Sequence, residues 1–213
     1  VDNMPREGQI LASAKPGSNA LLYGKIHHLT RAFLFRQMDD ASANIDVSGT
    51  MTEGSHQLNL FHLMGYFFEG LTAFLLARQL CGNESAKCFE RGQSVLSQMR
   101  CWSEHSRWNW ENKLFLLEAE SLFTIGEFDR AGSLYVSAIQ SAHEHKFIHE
   151  EAIASELAGM FFFERGFQQK SLACFVHCIK SYRAWGAESV ARRVESFIEC
   201  NFGYNVSPLV STA

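Results

Sequence analysis

At 213 residues with 46% hydrophobic residues, the chain holds enough apolar material for one elongated domain or two short ones, and its composition is that of a soluble globular protein. Nineteen Lys and Arg against 23 Asp and Glu leave a formal charge of −4 without a basic cluster, which argues against nucleic acid as a partner. The longest apolar runs, Leu71 to Ala77 and Met160 to Phe163, fall well short of the roughly 20 residues that cross a bilayer, so the chain is not expected to span a membrane.

Residues 1–17 read as an extended N-terminal segment. Val1 to Glu7 has neither the charged start nor the apolar stretch of a secretory signal, and with no initiating Met the chain is expected to be a piece of a longer polypeptide. From about Asn19 to Met38, Leu21, Leu22, Ile26, Leu29, Phe33 and Leu34 recur at helical spacing and predict a first helix. Residues 39–57 are rich in Asp, Ser, Asn, Thr and Gly without periodicity, which predicts a polar connection too loose for a packed core and the best internal boundary. A helix from about Leu58 to Leu80 is apolar on every side and so is expected to be central, with Gly82 free to take a positive φ at its end.

A further helix is predicted from about Glu84 to Trp102, followed by a tryptophan-rich corner. Trp102, Trp108 and Trp110 are read as buried plugs between hairpins, with an exposed partner surface as the other reading. Helices from about Asn112 to Ile125, Asp129 to His145, Glu150 to Arg165 and Gln168 to Trp185 then form two hairpins, and a last helix from about Ala187 to Cys200 caps them. Residues 18–200 thus form the expected helical domain, and residues 201–213 a C-terminal tail.

The two hairpins are approximate copies forty residues apart: Gly126-x8-Tyr135-Val136-x2-Ile139-x-Ser141 returns as Gly166-x8-Phe175-Val176-x2-Ile179-x-Ser181. Self-similarity at this period marks stacked hairpins, because one hairpin cannot bury its own apolar face. The expected fold is all-α, a right-handed α-α superhelix of about seven or eight antiparallel helices. The residues expected to build it are Gly126, Phe128, Ala131, Tyr135, Ala138, Gly166, Phe175, Cys178, Trp185 and Gly186.

The run Gly126-x-Phe128-x2-Ala131-x3-Tyr135-x2-Ala138 resembles the second-helix half of a tetratricopeptide repeat, with Phe115 in place of the first-helix aromatic, although the unit is forty residues and not thirty-four. Together with Trp110-Glu111-Asn112-Lys113-Leu114-x-Leu116-Leu117-Glu118-Ala119-Glu120 and Ser181-Tyr182-x2-Trp185-Gly186-Ala187, it is similar to the helical repeat region of large multidomain signalling kinases. In these a Ser/Thr kinase-like domain and an AAA-type ATPase module precede the repeats, and a GAF sensor and a histidine kinase follow. The resemblance covers about Ser94 to Phe197 and implies a non-catalytic segment that relays partner binding or nucleotide state. None of the kinase, ATPase or GAF parts lies within these residues, and Gln168-Gln169-Lys170-Ser171 departs from the usual small-residue spacing.

Catalytic and cofactor chemistry finds little foothold. Gly17-x6-Gly24-Lys25-Ile26 has the wrong spacing for a phosphate loop and lacks the Ser or Thr after the Lys. His143-x-His145-x3-His149 straddles a predicted turn and reads as a solvated loop rather than a metal site, and Cys174-x2-His177-Cys178 lacks the further ligands a structural Zn²⁺ wants. His27, His28 and His62 have no acidic or Cys partners at ligand spacing. The six cysteines contain no C-x-x-C pair and fit a reducing, cytoplasmic setting, in which the acceptor triplets at Asn83 and Asn205 carry no meaning. The expectation is a scaffold without cofactor or metal, whose partners are proteins or flanking domains of its own polypeptide, with a structural subunit of a larger assembly as the alternative.

Overall fold

A computed structural model describes residues 18–50 and 60–203. Among them there are nine α-helices and no strand, so the expected all-α architecture of paired helices is the one observed. The helices are α1 Asn19–Leu34, α2 Met38–Ala43, α3 Leu60–Gln79, α4 Gly82–His105, α5 Arg107–Thr124, α6 Phe128–Glu144, α7 Ile148–Glu164, α8 Gln168–Trp185 and α9 Glu188–Phe202, with a 3₁₀ turn at Ser48–Thr50. Eight have 15 residues or more. The expected extended segment 1–17, the rest of the polar connection and the tail beyond Gly203 lie outside the described residues.

The chain divides into two compact units, Val1–Val95 and Leu96–Ala213. The boundary therefore falls inside α4 and not in the polar connection, where the sequence placed it. In the first unit, Ser18 caps α1 by accepting from the Leu21 N–H, and Leu22, Ile26, Leu29 and Phe33 bury one face against α3. The helix stops at Leu34, short of the predicted Met38, because Arg36 turns into the left-handed region (φ 56°) and the Gln37 N–H bonds back to the Ala32 carbonyl.

The described part of the polar connection, up to Thr50, is also held more firmly than its composition implies. It contains α2 and the 3₁₀ turn, and Ala41 and Val47 are fully buried. Glu69 on α3, also fully buried, explains why: it accepts from the Ser48 N–H (2.8 Å) and hydroxyl (2.7 Å) and pairs with Arg91 (2.8 Å). Arg91 also pairs with Asp46 at 2.8 Å, and that hydrogen bond holds the Asp46 carboxyl below its usual value. A buried carboxylate needs such donors, and here Ser48 of the connection supplies two and Arg91 of α4 the third.

In the second unit each helix packs on the next, α5 on α6, α6 on α7, α7 on α8 and α8 on α9, and α5 also touches α7. Tyr135 and Phe175 are buried as the repeat requires, with Ala131, Ala138 and Cys178 beside them at full burial. At the α7–α8 crossing the backbones approach closely: a Cβ on Gly159 would stand 2.8 Å from the Phe175 ring, and the Ser171 hydroxyl donates to the Gly159 carbonyl at 2.8 Å.

One turn recurs between these helices at steps of 20 residues, at Gly126, Lys146, Gly166 and Gly186, with φ of 86°, 63°, 78° and 88°. Each residue donates to the carbonyl three positions back, and its successor donates to the carbonyl five positions back, which satisfies two helix-end acceptors. The forty-residue repeat is thus two twenty-residue steps, of which Lys146 hides one. A side chain in the left-handed region is strained by about 1–2 kcal/mol, so Lys146→Gly should raise the urea unfolding free energy by about 1 kcal/mol, while Gly126→Val should lower it by at least as much.

Candidate interaction site

All described residues of the proposed partner surface fall in the second unit, but they do not behave alike. Trp110 is buried and meets Trp102 at 5.3 Å, as the plug reading expects. Trp108 corrects it: the side chain is 60% exposed. The cause is local, because α4 runs on to His105, α5 begins at Arg107 and only Ser106 intervenes. There is no roomy corner to fill, and Trp108 and Trp110, two positions apart on one helix, must point to different sides.

Trp108 instead lies on His145 at 4.1 Å, at the end of the unit where α5 starts and the α6–α7 turn falls. Forty residues on, His145 is matched by Trp185, which is 40% exposed and lies 5.7 Å from His149. Each hairpin therefore ends in one Trp and one His ring, with the two residue types exchanged between helices. Trp185, expected as a structural repeat residue, rests partly on the buried Tyr182 at 6.2 Å and shows much of its face to solvent.

Beneath these rings runs a chain of charges. Lys113 lies 4.7 Å from the Phe147 ring centre and pairs with Glu150 at 2.7 Å, and Glu150 also meets His149 at 2.8 Å. Burial pushes the Glu150 carboxyl up, but His149 and Lys113 together outweigh it, and the group is held below its usual value. Glu151 accepts from His143 (3.0 Å) and His177 (2.7 Å), and Glu156 from Tyr182 (2.7 Å) and Arg193 (2.6 Å). Glu120 accepts from the Tyr135 hydroxyl. Sequence reasoning missed these acids. The available signal was carboxylates standing in otherwise apolar helices.

His143, His145 and His149, read as a solvated loop rather than a metal site, each meet a different partner: Glu151, Trp108 and Glu150. Among the described residues no group of three or more His, Cys, Asp or Glu is placed to hold a metal ion. Cys174 and Cys178 sit on α8, where burial pushes the Cys174 thiol up to about 11 and keeps it protonated at neutral pH. No helix among the described residues is long and apolar enough to cross a membrane.

At the opposite end of the hairpins a groove of about 560 Å³ opens between the α5–α6 and α7–α8 turns. Its floor is Phe161 and Phe162, and its rim carries Val136 and Phe167, 55% and 52% exposed. Gly126, Phe128 and Gly166, expected as structural residues, shape these two turns: the glycines supply the positive φ, and Phe128 is half-buried beneath the Arg165 guanidinium, 3.8 Å from its ring centre. A scan of protein-family models, a search of curated proteins and a search of solved structures each found no match to the chain.

The Glu150 pair sets a stability signature. Its folded pKa lies below the unfolded value of 4.5, so the stabilisation is complete above that value and is lost as pH falls through the folded one. Glu150→Gln should therefore cost about 3–5 kcal/mol at neutral pH, by leaving Lys113 buried and unpaired, and its difference from the parent chain should shrink in acid unfolding titrations. In the same assay Trp110→Ala should cost about 3–5 kcal/mol and Trp108→Ala no more than about 0.5 kcal/mol.

Proposed function

We propose that the chain is a non-catalytic helical-repeat scaffold that binds protein partners or flanking domains of its own polypeptide. The observation that carries this reading is Trp108, a large ring on solvent whose position is fixed by His145 beneath it and by a helix anchored through buried Trp110 and Lys113. Trp is the residue most enriched where binding energy concentrates, and a ring that is already ordered loses little entropy on contact. Trp185 repeats the feature one hairpin away, so the surface extends along successive units as in repeat proteins.

Placement as the relay segment of a multidomain ATPase and sensor kinase is the extension that the sequence resemblance suggests. In that role each helix contacts its neighbours, and small changes in packing angle passed from helix to helix would shift whatever is attached.

The test is a photo-crosslinking residue at position 108, identification of the trapped protein, and titration of the purified pair. Trp108→Ala is expected to weaken that complex by about 2 kcal/mol, near thirtyfold, with thermal stability unchanged. Unchanged affinity in the variant would refute the assignment of the surface.

A further inference from the structure

The groove between the hairpin turns has a charge pattern that selects its occupant. One wall holds Glu127 and Asp129, at the start of α6. From the α7–α8 turn come Arg165, whose guanidinium reaches across to lie over the Phe128 ring at 3.8 Å, and Lys170, 5.6 Å and 5.4 Å from the Phe162 and Phe167 ring centres. None of these four charges forms an ion pair with any described residue, although acids and bases share one groove. Elsewhere in this unit the arginines that meet carboxylates do so at close range, as Arg193 does with Glu156 and Arg100 with Glu118.

Between the walls the surface is aromatic and apolar. The rings of Phe161 and Phe162 form the floor, and Gly132, without a side chain, leaves it open: a Cβ there would stand 3.4 Å from Phe161. Cations on aromatic faces keep their outward hydrogen-bond donors available, since a ring accepts through its face alone. An all-acidic occupant would meet repulsion from one wall and an all-basic occupant from the other. About 560 Å³ is enough room for a few side chains and lies inside the usual range for binding clefts.

From this geometry we infer that the groove binds a peptide segment of mixed charge: an aromatic or aliphatic side chain on the Phe161–Phe162 floor, an acidic residue against Arg165 and Lys170, and a basic residue against Glu127 and Asp129. The inference rests on the scaffold reading and deepens it by naming the chemistry of a partner at a surface separate from Trp108. Apolar contact supplies part of the affinity, and the two charge contacts set the orientation of the segment. Exposed ion pairs contribute modestly one by one, so discrimination comes from having both signs matched at once.

Three fluorescein-labelled peptides of equal length with a common Leu-Phe centre test this: one with Lys before and Glu after the centre, one with Lys on both sides, and one with Glu on both sides. Fluorescence anisotropy with the whole chain should show the mixed peptide binding about tenfold or more tighter than either other, with the preference shrinking at high salt. Reversing one wall with R165E and K170E should move the preference to the Lys-only peptide, and reversing the other with E127K and D129K should move it to the Glu-only peptide. Circular dichroism establishes that both variants are folded, and a merely structural role for these residues would not exchange specificities. Equal binding of the three peptides, binding of none, or variants with unaltered preference would overturn the inference. A partner crosslinked through position 108 that binds R165E/K170E normally leaves the scaffold reading standing while the groove falls, so the two failures are distinguishable.

Discussion

The second unit depends on keeping α7 dry while satisfying the carboxylates it brings inside. Residues 150–159 are buried without interruption, and Glu150, Glu151 and Glu156 are among them. A buried charge without a partner costs several kcal/mol, and each of these acids finds donors on different helices: Lys113 on α5, His143 on α6, His177 and Tyr182 on α8 and Arg193 on α9. Buried pairs of this kind add little net stability compared with apolar packing, but they discriminate strongly between registers. Four neighbours are therefore located against one helix, and the rings at the hairpin ends inherit that order.

The two repeats share a turn and a packing plan while differing in what they bury. Tyr135 and Phe175 occupy equivalent positions, yet only the first has a hydroxyl, and that hydroxyl donates to Glu120. The counterpart of Glu120 forty residues on is Met160, so the second copy has no acid there to satisfy and its ring packs instead beneath Phe197 of α9 at 5.4 Å. The second copy gains its own tyrosine–glutamate pair elsewhere, between Tyr182 and Glu156. Divergence of this kind is what gives the groove two unlike walls: Asp129 stands where the next copy has Gln169, and Arg165 stands where the previous copy has Ile125.

The sequence made the fold class legible because period, apolar spacing and glycine placement all pointed the same way. Tyr135, Ala131 and Phe175 could be placed by helical spacing alone, and Gly126 and Gly166 by the positive φ that a tight helix end requires. Lys146 hid the twenty-residue step because a lysine gives no sign of a left-handed backbone, and Arg36 hid the end of α1 for the same reason. The site was far less readable. Whether Trp108 or Trp110 faces solvent depends on a single residue separating α4 from α5, and no count of tryptophans reveals that. The four charges of the groove come from turns forty residues apart, and their meeting is a property of the packing of α6 on α7.

Native-state hydrogen exchange resolved along α7 tests the central claim most directly, because it reports how much of the unit must open to wet that helix. If α7 is the pinned centre, amides of residues 150–159 exchange only through global unfolding, with the same opening free energy and denaturant dependence as the unit as a whole. Exchange of those amides through a smaller, local opening, while α6 and α8 stay protected, would contradict it.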